Sequence, residues 1–416
     1  MTEQNENVLN EYDEQMYQKY ESKIQEGNLN IGNWGSGDPK ITNYKFLEKF
    51  NIKTLNLYID NKLSIKFRNE TIKELILYLV HHRREDEVLN LNVDDLELEN
   101  LEVLLFQNGP NLQNYQLYNL SKFKKLLTLD VPKSNVDLTH IHKAISLTKL
   151  SMFCCSLKNI DEISSLTNLM ILNISCNLLQ TINSIRFLVN LKELNINSNK
   201  KIDITPLKDL VGLIKLDMSR CELEQLNTIK SLINLQFLDI SFNSDINITV
   251  LQYLKNLINL NLSYCNLVSV CVLRPLVNLE ELSIASDKIV YLDANLNQMK
   301  KLEKLRVNDN FVSDFSSIQQ HKYFNQNKNR NNRPFEISNQ KEPSKQELHY
   351  ANKLRRIETP NTQQIEIQNK RKTLQTKVNG LKQEINGVIY HAYQNQIQFT
   401  ENIAHLFQQL NQFCYE

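Results

Sequence analysis

Leu169-Met-Ile-Leu172-Asn-Ile174, Leu191-Lys-Glu-Leu194-Asn-Ile196, Leu213-Ile-Lys-Leu216-Asp-Met218, Leu235-Gln-Phe-Leu238-Asp-Ile240 and Leu257-Ile-Asn-Leu260-Asn-Leu262 are forms of one phrase, each starting 22 residues after the last. The phrase runs forward through Leu279/Leu282/Ile284 and, one residue late, Leu302/Leu305/Val307. Backward it runs through Leu147/Leu150/Met152, Leu126/Leu129/Val131 and Leu101/Leu104/Phe106, the last two with spacings of 21 and 25. Ile52/Leu55/Leu57 and Ile72/Leu75/Leu77 form two degenerate units ahead of these, interrupted by the charged run from His81 to Glu87. A fixed period of this length marks stacked structural repeats, each burying its apolar face only against its neighbours.

Within a unit the spacing predicts local structure. The last three apolar positions alternate as a short strand does, every second side chain facing inward. Three residues later stands a fixed slot: Asn177, Asn199, Asn243 and Asn310, or Cys155, Cys221 and Cys265. The chain must bend sharply there, and an inward amide or a small thiol can bond or fill against the buried backbone of the bend. Gly109, Ser134 and Asp287 depart from the pattern and are expected to loosen the bend in their units. Leu179, Ile182, Ile185 and Leu188 then cover the other side of the coil in a short helical turn.

The motif L-x-x-L-x-[LI]-x-x-[NC]-x-[LI]-x-x-[IL], over about residues 50–323, resembles that of leucine-rich repeat proteins. Its period is similar to the 22-residue subclass found in regulatory subunits of type-1 protein phosphatase and in internalins. The resemblance implies an α/β solenoid, with a parallel concave sheet and short helical turns on the convex side. It also implies a protein-binding scaffold or adaptor, with a phosphatase-type regulatory subunit as its sharpest form.

The positions between the leucines should face solvent. One outward column reads Asp130, Ser151, Asn173, Asn195, Asp217, Asp239, Asn261, Ser283, Arg306, which suits hydrogen-bonded ladders on a wettable face. Another reads Cys154, Cys176, Ser198, Arg220, Phe242, Tyr264, Ser286. Coils about 4.8 Å apart would make Arg220, Phe242 and Tyr264 one continuous patch, and arginine and aromatic residues dominate interface hot spots. With Phe237, Asp217 and Asp239 beside them, these are the candidate partner-binding residues.

Enzymatic readings find little support. Lys+Arg number 48 and Asp+Glu 47, a formal charge of +1, so no global field favours nucleic acid or an anionic membrane. Eight glycines in 416 residues leave little for phosphate-binding loops, and Gly32 to Gly37 has the wrong spacing for a nucleotide fingerprint. No nucleophile, base and orienter stand together, and no catalytic or cofactor-binding residue is assigned. His81-His82, His140/His142 and Cys154-Cys155 lack a second ligand pair at zinc spacing, so no metal is expected. The seven cysteines are an odd number, the N-terminus is polar and acidic, and no apolar run spans a bilayer. Together these predict a soluble protein of the cytoplasm, with the nucleus as alternative.

The ends have their own character. Residues 1–49 are expected to form an N-terminal cap, with Tyr12, Met16, Tyr20 and Ile24 on one face of a helix. Residues 324–360 read as a basic, Asn/Gln-rich linker or cap, and the stretch from Lys322 to Arg356 supports the rival function, an RNA or anionic-surface binder. In 361–416 a heptad seam runs through Leu374, Val378, Leu381, Ile385, Val388, Phe399, Ile403, Leu406 and Leu410. It predicts a coiled-coil-like helix of about 80 Å, for self-association, docking on another protein or folding back.

Overall fold

The computed structural model describes residues 11–31, 44–60, 66–80, 96–108, 120–133, 140–289, 292, 296, 298–310, 312 and 335–336. The chain divides into two compact units, Met1–Pro343 and Ser344–Glu416, and every described residue lies in the first. The heptad seam and the rest of the C-terminal unit therefore lie outside the described residues, as does the basic stretch apart from Phe335 and Glu336.

Each leucine phrase makes one short strand. The early strands are longer: β1 (Asn28–Ile31), β2 (Thr54–Asp60), β4 (Glu74–Val80) and β6 (Val103–Asn108). Between them, β3 (Phe67–Arg68) and β5 (Leu96–Glu97) pair as a separate two-stranded sheet. From there each strand is three residues: β7 (Thr128–Asp130), β8 (Lys149–Ser151), β9 (Ile171–Asn173), β10 (Glu193–Asn195), β11 (Lys215–Asp217), β12 (Phe237–Asp239), β13 (Asn259–Asn261), β14 (Glu281–Ser283) and β15 (Lys304–Arg306). With β16 (Phe335–Glu336) they complete a parallel sheet of fourteen strands laid down in chain order, extending past the leucine period at both ends.

Register is strict. Leu172, Leu194, Leu216, Leu238, Leu260 and Leu282 pair in one line, and Asn173, Asn195, Asp217, Asp239, Asn261 and Ser283 in the next. All six leucines are buried, and one continuous apolar core runs from Met16 to Val312. At roughly 1.5–3 kcal/mol for each buried Leu- or Ile-sized side chain, this column carries the stability of the stack. Between β6 and β14 the opposite wall of each coil is a 3-10 turn, as at Asn183–Phe187, Thr205–Asp209, Asn227–Ser231 and Thr249–Tyr253. Five-residue turns suit this wall because a coil of 22 residues leaves no room for a longer α-helix.

The N-terminal helix forms as expected. Helix α1 (Glu11–Glu21) buries Met16 and Tyr20, stacks Tyr20 on Phe46 at 5.8 Å between ring centres, and sets Tyr17 on Phe50 at 4.8 Å. Ile24 falls in the turn after the helix and packs against the core from there. The helix thus packs on Phe46 and Phe50 of the 3-10 turn Lys45–Lys49 and its C-terminal end.

Candidate functional site

The bend slot is built as the sequence suggests, with more bonds than one amide suggests. Asn243 Nδ2 donates to the carbonyls of Met218 (3.0 Å) and Ile240 (2.8 Å), while its Oδ1 accepts the N–H groups of Cys221 (3.1 Å) and Leu223 (3.0 Å). Asn177 repeats this with Met152, Ile174, Cys155 and Leu157. Cysteine supplies only the donor half: the thiols of Cys221 and Cys265 donate to Ile196 and Ile240 carbonyls, each at 3.3 Å. Burial pushes both thiols up to about 12. At Asp287 the acceptor half of the rung is kept, its Oδ1 accepting from Cys265 N–H (2.8 Å) and Leu267 N–H (3.1 Å) as an asparagine's would, while its buried Oδ2 has no hydrogen-bond partner.

Just before the slot, Cys154, Cys176, Ser198, Arg220, Phe242, Tyr264 and Ser286 all take left-handed backbone, with φ between 54° and 63°. The pattern has a mechanical cause. Each residue still donates its N–H across to the next coil, Arg220 to Ser241 O (3.0 Å), Phe242 to Ser263 O (2.9 Å) and Tyr264 to Ala285 O (2.9 Å). The chain must meanwhile turn the following side chain inward, and a left-handed residue does both. For a residue with a Cβ this costs about 1–2 kcal/mol, lower for Asn and higher for bulky side chains.

On that strained column the sequence places its candidate patch, and the structure brings the patch together. Phe242 stacks on Tyr264 with ring centres 4.2 Å apart and planes 8° from parallel. The Arg220 guanidinium lies 3.7 Å from the centre of the Phe242 ring on the other side. Phe242 is 36% and Tyr264 46% exposed, so the stack is presented to solvent. Among the described residues the guanidinium has neither an ion pair nor a hydrogen bond, leaving its donors open. Phe237 stands on the outer column of β12, also exposed, in register with Lys215 and Asn259.

Asp217 and Asp239 have a second task. Asp239 Oδ1 accepts from both Ser241 N–H (2.9 Å) and Ser241 Oγ–H (2.6 Å), and its Oδ2 accepts from Asn261 Nδ2 (2.8 Å). Asp217 does the same with Ser219 and Asn197. These carboxylates close the Asx turns that start each bend, so they position the patch as well as bordering it.

Two features escaped sequence reasoning. A second ladder runs along the coil edge, where Asn168, Asn190, Asn234, Asn256 and Asn278 each donate Nδ2 to the carbonyl 23 residues earlier at 2.9–3.0 Å. Its signal was the recurring Asn before the first leucine. Tyr58 also stacks on Tyr78 at 4.4 Å on the extended strands β2 and β4, where Leu55-Asn-Leu-Tyr58 and Leu75-Ile-Leu-Tyr78 share one pattern. Among the described residues no group of three His, Cys, Asp or Glu side chains could hold a metal, and no helix is long and apolar enough to cross a membrane.

A parallel strand, a polar or thiol bend slot and a 3-10 turn repeated every 22 residues define a leucine-rich-repeat solenoid. An internalin of Listeria monocytogenes has this fold, with a TM-score of 0.53 at 18% identity over 70% of this chain and 83% of its own. A chain of the mouse RP105/MD-1 complex matches with the same TM-score and identity, over 70% of this chain and 56% of its own. No family model and no curated protein matches the sequence.

Proposed function

We propose that the protein is a non-enzymatic scaffold that takes a protein partner on the strand face, centred on Arg220, Phe242 and Tyr264, with Phe237, Asp217 and Asp239 at its margin. The carrying observation is the exposed three-member stack on left-handed backbone. The fold accepts serine in that column, as at Ser198 and Ser286, so two bulky aromatics there add strain that the repeat itself does not require. An arginine with open donors beside exposed rings is the composition of an interface hot spot. The mouse neighbour was itself solved as a complex with MD-1. Cys154, Cys176, Cys221 and Cys265 are free thiols, which supports a reducing compartment such as the cytoplasm.

The test uses the full chain as bait in extract of its native cell, beside the variant Arg220→Ser/Tyr264→Ser. A discrete protein captured by the wild type and lost by the variant is the expected result; identical capture, or none at all, overturns the reading. The narrower assignment implied by the repeat's resemblance, a regulatory subunit of a type-1 phosphatase, requires phosphatase activity in the captured fraction. The seam from Leu374 to Leu410 is proposed to add self-association through the C-terminal unit.

A further inference from the structure

Asp287 occupies a position that elsewhere belongs to an amide or a thiol. The residue is only 6% exposed, and while Oδ1 has its two main-chain N–H partners, Oδ2 is buried with no hydrogen-bond partner. In the asparagine rungs the equivalent atom is Nδ2, which donates to the carbonyls 25 and three residues back, as Asn177 does to Met152 and Ile174. By that register Asp287 Oδ2 stands where a donor would face the carbonyls of Leu262 and Ile284. An ionised oxygen would meet acceptors there; a hydroxyl would complete the rung.

We propose that Asp287 is held as the neutral acid in the folded repeat, its O–H replacing the missing amide, and that losing this proton loosens the bend behind Tyr264. Burial is the main cause that pushes its carboxyl up to about 7, against the opposing pull of the N–H groups of Leu267, Cys265 and Asn266. No described cation pairs with it. From the preceding coil it faces the Cys265 thiol, itself pushed to about 12, and Asn266, which donates to Asp245. From its own coil come Ser286 and the exposed Lys288, and from the next Asn310 and Asp309, whose Oδ2 accepts from Ser286 and Asn308. The usual carboxyl value is 3.8, so the folded state holds the extra proton between about pH 4 and 7, and stability falls as pH rises through that window.

Cys265 directly follows Tyr264 and Leu267 stands two residues further on, so the bend that Asp287 holds also carries the outer ring of the stack. That link to recognition rests on the function proposed above; the protonation itself does not. Amide hydrogen exchange on the full chain, corrected for the intrinsic rate, tests it without a partner. Protection at Cys265 and Leu267 should fall of order tenfold from pH 6 to pH 8.5, while Cys221 and Leu223, held by Asn243, should stay level. Asp287→Asn should remove the difference. Equal behaviour of the two bends in the wild type, or an unchanged fall in Asp287→Asn, overturns the proposal. If the variant does not fold, the two-bend comparison in the wild type still decides.

Discussion

Asn243 holds Cys221 from one coil away: its Oδ1 accepts the Cys221 N–H at 3.1 Å, and the thiol of Cys221 then donates to Ile196 in the coil before. Neighbouring coils are thus tied through alternating side-chain and main-chain bonds inside a dry core. The tie also sets the left-handed residue just ahead of each slot, so the surface column and the buried column are one device.

Replacing Asn243 by alanine leaves two buried N–H groups and two carbonyls without this partner. At about 1–3 kcal/mol for each buried group left unsatisfied, the coil should lose 3 kcal/mol or more. Asn234, whose single bond to Val211 O is exposed, should cost about 1 kcal/mol when replaced by alanine. Local exchange or denaturant unfolding ranks the pair. Similar losses for both would show that burial of the slot does not set its weight.

Phe242→Gly separates stability from recognition. Glycine relieves left-handed strain of about 1–2 kcal/mol, while the lost exposed stacking with Tyr264 and Arg220 is worth about 1–2 kcal/mol. The variant should keep its melting temperature within a few degrees and lose partner capture. A large loss of stability would instead make the ring part of the repeat's own packing.

How much of this was legible beforehand follows from which residues repeat. The leucine line and the Asn/Cys slot recur at fixed spacing, and the sheet register follows them. The stack was legible as neighbours, because residues 22 apart at Arg220, Phe242 and Tyr264 must lie on adjacent coils. Their left-handed backbone was not, since Cys, Ser, Arg, Phe and Tyr share no propensity for it; the need to continue the ladder while turning imposes it. At Asp287 the two acceptor bonds follow from its place in the slot, whereas the burial of an unpartnered Oδ2 shows only once the coils are stacked.

Thiol chemistry should sort by position. Cys221 and Cys265, pushed up to about 12 by burial, should resist alkylation of the native protein at pH 8 and react fully once unfolded. Their ordinary value is 9.0, so the folded state retains protons that the unfolded chain releases, and their contribution to stability is lost as pH climbs from about 9 toward 12. Mass mapping of labelled peptides reads the order of modification. Early labelling of Cys221 would mean that its coil opens far more readily than Asn243 allows.

The last prediction concerns the seam from Leu374 to Leu410, which lies outside the described residues and is argued from sequence. Burying each Leu- or Ile-sized side chain between two chains is worth roughly 1.5–3 kcal/mol before entropy, against about 1 kcal/mol each for Gly380 and Gly387 in a helix. The balance favours association of the full chain. Leu381→Glu with Ile385→Glu should split the oligomer while the exchange pattern of the repeats stays unchanged, because each solenoid unit depends on its neighbouring units for stability. Light scattering at tens of micromolar reads the mass. A monomeric wild type would show that the seam does not pair two copies, leaving its apolar face to another protein or to its own chain.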